Sequence, residues 1–285
     1  MTNLTTFEDL AKPYLPSSRL WKGIAPPNIL TPAGGGCISH SGNPAFGFFD
    51  NFHTFNATTL DGPYATLVTA GGTLALVADT ATGKGLLGMT LVGDTAEDEV
   101  IVKWGGTLSA PFKLADNDLV FECGLNVSAI TAAKWNIGVG LGQADMITTD
   151  LLFTDSDALA DKNFLGFVKL APEGADFDAA YKADGQTYQD GAVKTKLNAL
   201  HTAVATTYFK LGFRYRAQPK KVEFYVDGVR PGGNITPARL TTADVDAATF
   251  PDDVFLAPII GIKDSAGNAA LTLNLDWWGC AQLLG

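Results

Sequence analysis

The chain has 285 residues, 46% of them hydrophobic, and carries 30 acidic against 20 basic side chains for a formal net charge of -10. That length and apolar share suffice for one large core, while the negative field repels phosphate backbones and anionic lipid and so argues against nucleic acid and membrane partners. With 31 Gly, 14 Pro and only 18% charged residues, the composition suits short strands and tight turns better than a helical bundle.

The N-terminus, MTNLTTFEDLAKPYLP, lacks the basic and apolar regions of a secretory signal. No later stretch approaches the roughly 18 uninterrupted apolar residues of a membrane helix. The expectation is therefore synthesis in the cytosol without a secretion signal. Three cysteines, Cys37, Cys123 and Cys280, show no paired spacing and support neither a disulfide framework nor a zinc site.

Residues 1–36 contain Pro13, Pro16, Pro26, Pro27 and Pro32 and end in Gly34, Gly35 and Gly36, which break helices and sheet ladders alike. An extended N-terminal arm is expected there, followed by a β-sandwich domain over 37–285. Tyr14, Leu20, Trp21 and Ile24 are too apolar for a solvated tail. Their expected role is as assembly anchors that dock on a neighbouring subunit.

From about residue 46 the pattern alternates with period two, which sets successive side chains on opposite faces of a sheet. Leu119, Phe121, Cys123, Leu125 and Val127 form one such row, and Trp135, Ile137, Val139 and Leu141 another. Opposite the second row stand Asn136, Gly138, Gly140 and Gly142, a bare face that another backbone or a ligand can approach.

Further on, Phe209, Leu211, Phe213 and Tyr215 lead through AQPKK into Val222, Phe224 and Val226, which predicts a hairpin. Asp227-Gly228 supplies the next tight turn. The segment 193–205 reads equally as helix or strand. In the last strand Leu271, Leu273, Leu275 and Trp277 are expected on one face, with Thr272, Asn274, Asp276 and Trp278 on the other.

Chemistry is sparse. The acidic run Asp94, Glu97, Asp98 and Glu99 reads as a solvated loop with no strand-face geometry to keep a carboxyl protonated. Asp150, Asp155, Asp157 and Asp161 form an oxygen-rich stretch, yet they lack the glycine and closing Glu of a calcium loop, so no metal and no cofactor is expected. Cys37 with His40 and His53 has no orienting third group for a thiol nucleophile, and His201 on an apolar stretch reads as structural. Trp104, Trp135 and Trp278, with Trp277 nearby, could stack on a sugar, although core packing is the simpler reading.

The hairpin YFKLGFRYRAQPKKVEFYVDGVRP and the closing LTLNLDWWGCAQLL resemble concanavalin A-like jelly-roll domains of tailed-bacteriophage virion proteins, over about residues 46–285. The matching residues are Tyr225 to Gly228 and Leu275 to Leu283. What the resemblance implies is an all-β, two-sheet antiparallel jelly roll acting as a non-catalytic virion structural protein. It would decorate or cement a capsid, or belong to a head fibre, with the major capsid protein, other virion subunits and further copies of itself as partners. The same fold serves lectins and glucanases. A glycan-binding module for host attachment is therefore the alternative, and a divergent glycan-cleaving enzyme the weaker one, since the Glu-x-Asp-x-x-Glu strand motif is missing.

Overall fold

The computed structural model describes residues 17, 20–21, 36–40, 43–50, 52, 64–69, 71–78, 85–93, 97–106, 109–115, 117–130, 134–147, 152–154, 156–232, 238–265 and 270–283. In chain order the strands are β1 (Gly36–His40), β2 (Asn43–Asp50), β3 (Tyr64–Val68), β4 (Gly72–Ala78), β5 (Gly85–Leu91) and β6 (Glu99–Trp104). There follow β7 (Phe112–Lys113), β8 (Leu119–Val127), β9 (Trp135–Gln143), β10 (Phe164–Lys169), β11 (Asp176–Lys182) and β12 (His201–Thr202). The chain closes with β13 (Phe209–Arg216), β14 (Lys221–Val226), β15 (Arg239–Leu240), the short helix α1 (Thr242–Val245), β16 (Phe255–Asp264) and β17 (Leu271–Leu283).

These strands form the two-sheet antiparallel sandwich that the alternation predicts. One sheet, called A here, runs β1-β2-β17-β8-β13-β14-β15, with β5 also on β17 and β4 on β5. The other, B, runs β12-β11-β10-β9-β16-β6-β3, with β7 on β16. The inward rows of β8, β9 and β13 share one buried apolar cluster between the sheets, where burial of alternate side chains supplies the main stabilisation. The predicted hairpin is present as β13 and β14, and Asp227 and Gly228 both adopt positive φ (50° and 74°) in the turn after it.

Three readings are resolved here, the first left open by the sequence and the other two corrected. Segment 193–205 is neither a long helix nor a long strand: a single 3-10 turn at Thr195–Leu197 precedes the two-residue β12. In β17 the register slips between Leu275 and Trp277, a bulge that inserts one residue and reverses the faces beyond it. Trp278 and Cys280 therefore continue the inward row of Leu271, Leu273 and Leu275, while Trp277 stacks on Phe49 with ring centroids 5.5 Å apart.

The third concerns the acidic run. Asp94 lies outside the described residues, and Glu97 is partly exposed, but Asp98 and Glu99 are buried. Glu99 opens β6 on the outward face of sheet B, and burial raises its carboxyl to about 8. It is a strand residue kept protonated, not part of a solvated loop.

The bulge also marks a fork. Along one edge of β17, residues 271–275 pair with β5, whereas residues 278–283 pair with β2. The opposite edge pairs with β8 throughout.

Candidate functional site

Both outer faces of the sandwich are short of side chains, and in both cases the chain itself takes up the space. On sheet B, a Cβ on Gly138 would lie 2.7 Å from Leu152 Cδ2 and 2.9 Å from Phe153 Cζ. A Cβ on Gly261 would meet the same Leu152 at 2.8 Å, and one on Gly142 would meet Met146 Sδ at 2.6 Å. Met146, Ile147, Leu152, Phe153 and Leu159 thus form an apolar plug over Ile101, Phe164, Val168 and Ile259. The bare glycine face read from the sequence receives this segment rather than a ligand.

Charged groups ring the plug. Lys263, 1% exposed, pairs with Glu97 at 2.6 Å and stands opposite Glu99 in the β16–β6 register. Lys103 donates to the carbonyls of Gly106 and Ser109, and burial lowers its ammonium to about 8.

On sheet A, Glu122 is fully buried on the outward face of β8. Its carboxylate accepts the backbone N–H of Ser17 and the indole N–H of Trp21, each at 2.8 Å, together with the Ser17 hydroxyl. Leu20 and Trp21 pack with Val120, Tyr225 and Ala281 in a cluster separate from the main core. In this single chain the expected anchors Leu20 and Trp21 pack on the chain's own sheet A, as a short strap with Ser17. Tyr14 and Ile24 lie outside the described residues.

The tryptophans expected as a sugar platform are interior. Trp104 stacks on Phe48 at 4.5 Å, Trp278 meets Phe48 edge-on at 5.6 Å, and Trp135 lies under the Lys169 ammonium at 5.9 Å. None is more than 5% exposed, because each occupies an inward position of its strand, so no ring face is open to a sugar.

The remaining sequence candidates resolve into structural roles where they are described. Asp157 accepts from Asn136 and Ser265, and Asp161 takes Lys182 and the Gly185 N–H; Asp150 and Asp155 lie outside the described residues. No metal-holding group of His, Cys, Asp and Glu occurs among the described residues. His201 packs against Phe209 at 4.2 Å, and burial lowers its pKa. Cys37 and His40 share β1, their side chains and His53 being outside the described set. Cys123 and Cys280 are buried free thiols whose pKa values burial raises.

An open concavity appears where the sequence gave little signal. Thr195, Lys196, Asn198, Ala199 and Leu200 face Pro231 and Gly232 across a cleft of about 310 Å³. It lies at the rim where the β11–β12 edge of one sheet approaches the β14–β15 edge of the other.

Its longer wall is braced from below. Asp178 on β11 accepts the N–H of Ala199 at 2.6 Å, and this bond holds Ala199 at φ +48°, a conformation costly for a residue with a side chain. Asp190 accepts the N–H groups of Ala192 and Val193 at 2.9 and 3.2 Å. Lys194 and Lys196 both reach Asp244 on α1, at 2.7 and 2.8 Å. Burial pushes the Asp244 carboxyl up, but the two ammonium partners hold it well below the usual carboxylate range.

Beside this wall, burial raises Glu173 to about 7, helped by the charges of Asp178 and Asp190. Among the wall's braces, Asp190 has a partial sequence signal in the Gly191 that follows it, whereas Asp178 stands within β11 and has none. The positive φ of Ala199 has none.

No protein-family model matches this sequence, and no curated protein matches it. Solved structures do. A protein of unknown function from Shewanella oneidensis MR-1 aligns over 95% of each chain, with 14% identity and a TM-score of 0.50. The carbohydrate recognition domain of Emp47p aligns over 81% of this chain and 92% of its own, with 10% identity and a TM-score of 0.52. An endo-beta-1,4-glucuronan lyase from the fungus Trichoderma reesei aligns over 82% and 94%, with 10% identity and a TM-score of 0.50. At such identities the likeness establishes the fold, a concanavalin A-like jelly roll.

Proposed function

We propose that this chain is a non-catalytic glycan-binding module whose ligand sits in the rim cleft. The observation that carries the reading is the cleft's make-up: the polar residues Thr195, Lys196 and Asn198 line it together with the apolar Leu200 and Pro231. Such a lining suits a sugar, which offers hydroxyls at its edge and C–H groups on its face. A volume of about 310 Å³ stands at the small end of the ~300–1,000 Å³ range of ligand pockets, enough for a short glycan segment. The hydrogen bonds accepted by Asp178, Asp190 and Asp244 hold the wall and the stretch leading into it in place before a ligand arrives, which lowers the ordering cost of binding.

The non-catalytic part of the proposal is supported by where the carboxyls are. Asp178 accepts the Ala199 N–H of the wall, Asp190 accepts the N–H groups of Ala192 and Val193 just ahead of the wall, and Glu99 lies beneath Leu152 and Phe153. None of them lines the cleft.

A glycan-array screen of the full chain, followed by titration calorimetry on the best hit, tests the reading. Asn198→Ala is expected to weaken binding by about tenfold, roughly 1.4 kcal/mol, with the melting temperature unchanged. Binding to no glycan, or binding indifferent to Asn198, would end the proposal.

A place in a virion is a second reading, favoured by the YVDG and LDW...AQL likeness. It ranks behind the first because the residues carrying the likeness serve the fold. Asp227 accepts the Lys210 N–H at 2.8 Å, Tyr225 packs with Leu20 and Trp21, and Trp278 is core.

A further inference from the structure

We infer, resting on the glycan-binding reading, that the glycan is an acidic one whose carboxylates lie across the outer face of β13, β14 and β15 on a set of fixed arginine and lysine side chains. Strand register gathers these cations. Arg214 stands opposite Glu223, which in turn stands opposite Arg239, and Arg216 stands opposite Lys221. Cross-strand partners share a face of the sheet. The inward rows of the same strands hold Phe213, Tyr215, Val222, Phe224 and Leu240, so the charged rows face outward.

The carboxylates of this group lie deeper than its cations. Asp118 holds Arg214 and Arg216, each at 3.3 Å, and accepts the Ala217 N–H at 2.9 Å. Glu223 holds Arg230 at 2.9 Å and Lys221 at 3.3 Å. Side-chain exposure is 19% for Asp118 and 9% for Glu223, against 35% for Arg216, 30% for Arg230 and 29% for Lys221. What reaches solvent is therefore a cationic layer braced from beneath by acids. Arg239 is exposed as well, and no carboxylate among the described residues pairs with it.

Five cations against two carboxylates leave the group at a net charge of +3 on a chain of net -10. The remaining surface is negative in sum and repels a polyanion, so this face is where one can settle. Guanidinium forks suit planar carboxylates, which they take in two parallel hydrogen bonds. A glycan offers such groups where its sugars are uronic acids. A nucleic acid duplex, stiff and charged at every step, would press the rest of its length against the negative surface.

The cationic face runs up to the cleft. Arg230 directly precedes Pro231, which lines the cleft, and the Pro231 carbonyl accepts the Ala238 N–H at 3.0 Å, which sets Arg239 beside that wall. Lys196 on the facing wall adds a further ammonium, shared with Lys194 on the single carboxylate of Asp244. The borders of the face are acidic. Asp246 and Asp252 meet Lys220 at the turn between β13 and β14, and Asp227 stands in the turn after β14, which confines the cationic surface to these three strands.

Binding of the full-length protein to hyaluronan, alginate and polygalacturonate, each beside its carboxyl-reduced form, tests the inference. At least one acidic polymer is expected to bind about tenfold tighter than its reduced form, with affinity falling as NaCl rises. Arg239→Gln changes an exposed side chain outside the ion pairs. It is expected to weaken binding of that polymer by about tenfold while the melting temperature and the binding of neutral glycan stay unchanged. Binding of none of the three acidic polymers, equal binding of acidic and reduced forms, indifference to Arg239→Gln, or equal affinity for a DNA duplex of matched charge overturns the inference. Asn198→Ala keeps it apart from the cleft reading. Glycan binding that needs Asn198 but shows no preference for acid ends the inference and leaves the cleft, whereas acidic-polymer binding that needs Arg239 but not Asn198 ends the cleft reading and leaves the cationic face.

Discussion

The two outer faces of the sandwich are closed in different ways. Over sheet A, a few residues converge on one buried carboxylate through N–H and O–H donors. Over sheet B, a longer segment presses Met146, Leu152 and Phe153 onto glycines. Directional bonds to a charge make a specific and separable lid, whereas apolar burial is non-directional and grows with the area covered. The first cover is thus the one expected to open on its own, and the second to open only with the fold. An open cleft remains at the rim between them.

The largest effect that would break this contrast is a truncation in the plug. Phe153→Ala is expected to cost about 3–5 kcal/mol in global stability, the usual range for deleting a buried aromatic. Trp21→Ala, although Trp21 is equally buried, should cost less, because the loss is capped by the free energy of strap docking when the strap opens independently. Thermal or denaturant unfolding of the two variants side by side checks this. Equal losses would mean that the strap is part of the cooperative core.

The next effect is in pH. Burial holds Glu99 at about 8 against an ordinary 4.5, so the folded chain keeps a proton that the unfolded chain releases. The contribution is full below pH 4.5 and is lost as pH rises toward 8. Glu99→Gln should flatten this slope in denaturant midpoints measured across the window. A slope unchanged by the substitution would place the titration elsewhere.

The smallest effect sharpens the comparison on the strap side. Ser17→Ala removes one donor to Glu122 but keeps the backbone bond and the indole, and should cost about 1 kcal/mol. The expected readout is faster hydrogen exchange at the Trp21 amide with little change at β9. Protection lost equally in both places would contradict separable docking.

Much of the fold could be read from the sequence because the inward rows of β8, β9, β13 and β14 alternate without interruption. The reversal in β17 was hidden, since an inserted residue leaves no mark when tryptophans stand on both sides of it. Glu99 was misread for a related reason: a cluster of charges looks solvated in sequence, and only the plug packed over β6 buries it. The need of Leu20 and Trp21 for cover was legible, but what covers them was not, because Glu122 lies about a hundred residues away in the chain. The rim cleft depends on an alanine with positive φ and on two loops distant in sequence, neither of which composition or period reports.

The fork in β17 has a mechanical consequence. Because β2 and β5 share one edge of that strand in succession, the sheet there is made of two leaves, each fastened by its own short ladder. A pull on the chain's leading end loads the contacts of Ser17 and Trp21 with Glu122 first; the β1–β2 leaf is next, and it can unzip from residues 278–283 while the β4–β5 leaf keeps its grip on residues 271–275. The bulge is the seam at which such a tear would stop, so tension on the strap is spent on one hairpin before it reaches the middle of the sandwich.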